Sequence, residues 1–154
     1  MLNKERKLAA IVCTDTAGFS ELSASDENFA IELINKQKEF IHPLIGTYNG
    51  MLHKETGDGF LLTFPTATSA VEFSIDFQRA VKHIEGLNVR IGIHEGEITV
   101  QDGDVFGDDI NICARIEPHS PIGGICISEK VKLEIGSLPE YATEFIGEPE
   151  LKGI

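Results

Sequence analysis

Basic residues are scarce in this chain. Thirteen Lys and Arg face twenty-five Asp and Glu, for a formal charge of −12 and an isoelectric point near 4.7. No run of Lys or Arg interrupts that balance, so nucleic acid and anionic lipid surfaces are repelled and neither is expected as a partner. A phosphorylated ligand would need a divalent metal or a few well-placed cations to offset the protein's own field. Cysteine is also sparse. Cys13, Cys113 and Cys126 form no CxxC pair, and each lies in an apolar run, which reads as a small buried hydrophobe rather than a reactive thiol. No secretory apolar segment follows the charged start Met1–Lys7, so a reduced, cytoplasmic setting is the expectation. His42, His53, His83, His94 and His119 show neither an HExxH motif nor paired-ligand spacing, which argues against zinc. Repeats, low-complexity segments and long apolar runs are absent, and a mean hydropathy of −0.03 gives no sign of a membrane span.

What is present suits one domain, residues 1–154. The chain is 42% apolar and 25% charged, and a domain of this length buries roughly 68–70% of its unfolded surface. Leu8–Cys13 is a short branched apolar run without helical period and reads as a buried strand ending at Thr14-Asp15. A polar connection should follow Ala17-Gly18-Phe19. Ser25 then caps a long helix, with Asp26 and Glu27 favourably placed in its first turn. Phe29, Leu33, Phe40 and Leu44, flanked by Ile34, Ile41 and Ile45, mark its apolar face as far as Tyr48, with Pro43 as a candidate kink. Met51–Glu55 and Phe60–Phe64 form a hairpin around the tight turn Gly57-Asp58-Gly59. Pro65-Thr66 opens a second helix with Ala70, Phe73, Phe77, Ala80 and Val81 inward. Strands are expected at Asn88–Ile93 and Glu97–Gln101, flanking His94-Glu95-Gly96. A helix should run from near Gly107 to before Pro118, a strand at Ile125–Ile127, a helix from Ser128 to about Ile135, and a last strand at Tyr141–Ile146. The expected class is α+β, with a ferredoxin-like β-α-β-β-α-β core carrying additional strands and helices.

Several residues could carry chemistry. Asp15 and Asp58 stand at strand ends, where two carboxylates brought together would need a cation between them; Mg²⁺ takes one or two carboxylates plus substrate phosphates. Read singly, each is an ordinary turn former. Lys54 lies on the first hairpin strand, where a lysine is normally solvated. Asn111 and Arg115, four apart, share a helix face, with Asp104 just upstream; an amide, a guanidinium and a carboxylate together suit a polar, phosphorylated ligand.

Taken together, these pieces stand in a familiar order. LAAIVCTDTAGFSEL (Leu8–Leu22), HKETGDGFLLTF (His53–Phe64), VRIGIHEGEI (Val89–Ile98) and DVFGDDINICARIE (Asp104–Glu117) resemble the catalytic domain of class III adenylate and guanylate cyclases. The likeness covers nearly the whole chain, and four blocks in order are far more specific than GDG alone. It implies that Asp15 and Asp58 hold two Mg²⁺ or Mn²⁺ ions per site, that Asn111 orients the ribose and that Arg115 stabilises charge growing on the α-phosphate. The amides of Thr16, Ala17, Gly18 and Phe19 would cradle phosphate oxygens. Lys54 and Asp104 match the adenine-reading pair of the family; the Glu and Cys typical of guanylate cyclases are absent. Lys152 resembles a lysine that contacts the triphosphate. The resemblance further implies ATP as substrate, cyclic AMP as product and a homodimer whose sites are shared between protomers. It implies no direct membrane contact, although such domains are often joined to sensor modules. Relatives continue into one more strand past Ile154, so a domain lacking that final strand is expected. The competing reading is a weak or inactive regulatory module of the same fold. A diguanylate cyclase would want a GGDEF-type turn where Thr56-Gly57-Asp58-Gly59-Phe60 stands.

Overall fold

The computed structural model describes residues 4–136. The elements in chain order are β1 (Lys4–Thr16), α1 (Phe19–Ser25), α2 (Glu27–Tyr48), β2 (Met51–Glu55), β3 (Phe60–Phe64), α3 (Ala67–Val81), β4 (Val89–Gln101), β5 (Asp104–Phe106), α4 (Asp108–Ile116), a single 3-10 turn at Glu117–His119, β6 (Ile125–Ile127) and α5 (Glu129–Ile135). The sheet has the order β2-β3-β1-β4-β5, with β6 added parallel to β4 and every other pairing antiparallel. The α+β class and the β-α-β-β-α-β core stand as expected.

Alternation along β1 builds the two layers. Ala10 and Val12 point to one face, where α2 and α3 supply Leu33, Ile41, Phe73 and Phe77 to the main core. Ala9, Ile11 and Cys13 point to the other, where Cys113 of α4 completes a smaller core with Leu61, Ile98 and Val105. Phe64, Phe73 and Phe77 stack in sequence at ring distances of 4.8 and 5.7 Å, so truncating Phe73 to Ala should cost roughly 3–5 kcal/mol. Helix α3 begins with a reciprocal cap, in which Thr66 Oγ1 accepts from the Ser69 amide at 3.0 Å and Ser69 Oγ accepts from the Thr66 amide at 3.3 Å. Gly92 of β4 lets the 3-10 turn after α4 come close: a Cβ there would lie 2.7 Å from the Glu117 backbone.

Three local expectations need correction. The segment after Gly18 is the two-turn helix α1 rather than a polar connection. Asp26, not Ser25, caps α2, its carboxylate accepting from the Phe29 amide at 3.1 Å; Ser25 instead donates back to Leu22. Helix α2 reaches Tyr48 with Pro43 inside it, as expected. The segment His94-Glu95-Gly96 does not interrupt a strand, because β4 pairs with β1 without a break from Lys4↔Gln101 to Thr16↔Val89. Asp104–Phe106 forms the short strand β5, entered through Asp102 and Gly103, both with positive φ. The expected strand at Tyr141–Ile146 lies outside the described residues. Among the described residues, no helix is long and apolar enough to cross a membrane. Cys13, Cys113 and Cys126 are free thiols, and the buried Cys113 Sγ lies 3.3 Å from both the Ile11 and the Gly92 carbonyl, either of which can take its one proton; burial pushes its pKa up, as befits a packing residue.

Candidate active site

Asp15 sits near the C-terminal end of β1 on the α4 side of the sheet, directly opposite Arg90 of β4. The guanidinium grips it with two parallel bonds, Nε to Oδ1 at 2.9 Å and Nη2 to Oδ2 at 2.7 Å. Asp58 reaches the same place from the β2–β3 turn. That turn is set by backbone: Gly57 has φ +94°, the Thr56 amide bonds the Gly59 carbonyl, and a Cβ on Gly59 would lie 1.8 Å from the Thr14 carbonyl oxygen. Thr14 and Thr16, whose side chains point to the opposite face, fasten the turn from behind. Thr14 Oγ1 accepts from the Phe60 amide at 3.0 Å, and Thr16 Oγ1 donates to the Asp58 carbonyl at 2.7 Å.

Acidic groups outnumber cations at this end. Burial, and then the Asp15 charge, push the Asp58 carboxyl above its usual range. Glu117, just past α4, is pushed up to about 9 by burial first and then by its hydrogen bond with Asp15. Arg90 lies 3.6 Å from Glu117 as well, too long for a second strong bond. Burial and the Asp15 contact thus favour the protonated form of Glu117, and Arg90 serves Asp15. An excess of hard oxygen donors around one guanidinium suits a divalent cation such as Mg²⁺ or Mn²⁺. Among the described residues, no group of three or more His, Cys, Asp or Glu side chains is placed to hold an ion. Asp15 and Asp58 would need substrate phosphates and water to complete its shell, as is usual for Mg²⁺.

A second cluster forms where two distant strands meet. Strands β2 and β5 lie at opposite ends of the strand order, yet Lys54 Nζ comes within 3.7 Å of Asp104 Oδ1. A bulge makes this possible. Leu52 pairs with Leu62, but Lys54 pairs with Leu61, so His53 is the extra residue and Lys54 is carried to the α4 side of the sheet. His53 Nε2 meets Thr63 Oγ1 at 2.7 Å, and burial together with Lys7 lowers the pKa of the ring. Asp104 also accepts from the Val105 amide at 2.9 Å.

Asn111 and Arg115 lie on the exposed face of α4, with Cys113 and Ile116 turned inward. The helix is anchored by Asp109, which accepts from the Glu97 amide at 3.1 Å and meets His94 Nε2 at 2.9 Å; His94 Nδ1 lies 2.9 Å from Ser128 Oγ. Thr16 is within β1, and the Ala17 amide already donates to the Asn88 carbonyl at 2.7 Å, so only Gly18 and Phe19 stand at the start of α1. Lys152 lies outside the described residues.

Arg90 and Glu117 were not singled out by sequence. The signal for Arg90 was a lone cation inside the apolar strand Val89–Ile93. Glu117, next to Pro118, carried no signal beyond its charge.

The chain matches the family described as Adenylate and Guanylate cyclase catalytic domain over residues 2–154. It is 37% identical over 134 residues to a Rhizobium meliloti (strain 1021) protein provisionally named adenylate cyclase 3, a stretch that is 82% of this chain but 23% of that protein. To the adenylate cyclase of Streptomyces coelicolor it is 28% identical over 125 residues, 80% of this chain and 32% of that one. The chain thus spans no more than about a third of either relative. The fold also matches the crystal structure of an adenylate/guanylate cyclase/hydrolase from Silicibacter pomeroyi, with a TM-score of 0.85 and 34% identity, covering 99% of this chain and 93% of the other. A match of this extent, on a sheet that brings the quoted blocks together, settles the kinship: this chain belongs to the family of adenylate and guanylate cyclase catalytic domains.

Proposed function

We propose that this domain converts ATP to 3′,5′-cyclic AMP and pyrophosphate, at sites shared between the two chains of a homodimer. The observation that carries the choice of ATP is the Lys54–Asp104 juxtaposition at 3.7 Å. A donor and an acceptor side by side complement adenine, with Lys54 donating to N1 and Asp104 accepting from the N6 amino group. Guanine presents an N1–H and a carbonyl at those places and leaves both side chains mispaired.

Asp15 and Asp58 would hold two Mg²⁺ or Mn²⁺ ions, whose chemistry when bound is to acidify the ribose 3′-hydroxyl and to neutralise the triphosphate. Asn111 orients the ribose so that the 3′-oxygen faces the α-phosphorus, and Arg115 meets the negative charge on the α-phosphate as the bond to pyrophosphate breaks. The exposed placement of Asn111 and Arg115 on α4 supports their use by a second chain. Each site would combine Asp15 and Asp58 of one protomer with Lys54, Asp104, Asn111 and Arg115 of its partner. Lys152 would add a contact to the triphosphate, as the family resemblance implies.

The test is incubation with ATP and, separately, GTP in the presence of Mn²⁺, with cyclic products separated by chromatography. Cyclic AMP as the dominant product is expected; cyclic GMP in excess overturns the base assignment, and no product from either favours the regulatory reading. Sharing of the site is tested by mixing Asp58→Ala and Arg115→Ala chains, each nearly inactive alone. Heterodimers carry one intact site, so activity should return toward half the wild-type rate per heterodimer. Heterodimers that form and stay inactive overturn the shared site.

A further inference from the structure

We propose that Gln37 is a positioning residue for the two-carboxylate site, acting through the Thr16 hydroxyl on the backbone of Asp58. The proposal rests on the reading of Asp15 and Asp58 as the holders of divalent cations. Gln37 is fully buried on the inner face of α2, in line with Ala30, Leu33, Ile34 and Ile41. Among the described residues nothing hydrogen-bonds its Oε1, so the amide sits where an apolar residue of the same length would be less costly. A polar group kept at such a cost calls for a use, and its other end has one. Gln37 Nε2 donates to Thr16 Oγ1 at 2.9 Å, and Thr16 Oγ1 is 2.7 Å from the Asp58 carbonyl oxygen. A hydroxyl has one proton. With Gln37 donating into a lone pair, that proton is committed to Asp58.

Thr16 belongs to the strand that carries Asp15, and Asp58 to the turn opposite, so the relay ties the two carboxylate-bearing segments together from the face that the carboxylates do not occupy. Groups that orient metal-holding side chains without touching the ion commonly change metal affinity by roughly 10–100-fold. Gln37 therefore sets the spacing of the site from within the main core, one layer below it.

The experiment measures binding of Mn²⁺ alone to the full chain, following the free ion by its electron paramagnetic resonance signal, alongside thermal melting. The chains compared are wild type, Gln37→Met, Gln37→Leu, Thr16→Val, Thr16→Ser, the Gln37→Met/Thr16→Val double variant and Asp58→Asn. Gln37→Met should melt at or above the wild-type temperature and yet bind Mn²⁺ roughly tenfold more weakly. Thr16→Val should match it, Thr16→Ser should retain wild-type binding, and the double variant should bind no worse than Thr16→Val, because both lesions cut one relay. A folded Gln37→Met or Gln37→Leu chain that binds Mn²⁺ like wild type overturns the proposal, as do losses that add in the double variant. Wild-type binding that Asp58→Asn leaves unchanged overturns the underlying reading of the metal site; binding lost in Asp58→Asn but kept in Gln37→Met overturns the positioning role alone.

Discussion

The two clusters of this chain differ in how far their charges have left water. At the Asp15 end, the Asp15 and Glu117 side chains are 13% and 10% exposed, whereas at the other end Lys54 and Asp104 are 52% and 47% exposed. The buried end shows displaced pKa values, a bidentate guanidinium and a backbone pinned from behind. The open end shows a single long ion pair between half-exposed side chains, an interaction that adds little to stability and can exchange its partner for a ligand at small cost. On the proposed reading the difference separates two tasks. The carboxylates that would hold cations are fixed by bonds from Arg90 and the threonines behind them, while the pair that would read a base keeps one exposed contact that a ligand can replace.

The contrast is tested most severely by Asp58→Asn. Turnover should fall below detection, because losing a cation site removes several kcal/mol of charge stabilisation. The metal-free melting temperature should hold or rise, since the substitution removes the charge that Asp15 opposes. A variant that keeps near wild-type turnover at saturating Mn²⁺ would show that the buried end does not bind the catalytic ions. A smaller effect is expected at the open end. Lys54→Glu combined with Asp104→Cys should shift the ATP to GTP preference by roughly 1–3 kcal/mol for each mispaired contact, while unfolding free energy moves by no more than about 0.5 kcal/mol. An unchanged nucleotide ratio in the folded double variant removes the base-reading role.

A further effect concerns proton linkage at Glu117. In the folded, metal-free chain this carboxyl keeps its proton up to about pH 9, against an ordinary value of 4.5. Its contribution is thus fully present below the ordinary value and is lost as pH rises through the folded one. Metal-free stability should decline as pH rises through that window. Glu117→Gln, which cannot ionise, should flatten the decline in melting temperature measured by calorimetry. A wild-type profile that is already flat contradicts the assignment of a retained proton.

Much of the fold was legible because it depends on spacing within a segment. The apolar stripe Leu33, Ile34, Ile41 and the run Phe60–Phe64 announce a helix and a buried strand whatever lies beside them. Gly57-Asp58-Gly59 announces its turn, and Thr66 its cap. The misreadings have local causes. Ser25 and Asp26 are both good caps, and only the observed backbone decides that Asp26 faces the Phe29 amide. His94-Glu95-Gly96 looks like an interruption, but Glu95 and His94 alternate between the two faces of one continuous strand. The four blocks placed Asp15, Lys54, Asp58, Asp104, Asn111 and Arg115 as candidates, and Gln37 was visible in principle as a polar residue on an apolar helical face.

The sequence by itself determined most of the element types, the buried character of Leu8–Cys13 and the turn that carries Asp58, because each follows from period, capping or backbone freedom over a few residues. Only the tertiary structure decided that Arg90 stands opposite Asp15, that the bulge at His53 turns Lys54 to the face where Asp104 waits, and that burial beside Asp15 pushes the Glu117 carboxyl up. Those facts depend on strand register, on which segments share a face and on exclusion of water. All three arise between residues as distant in the chain as Asp15 and Arg90.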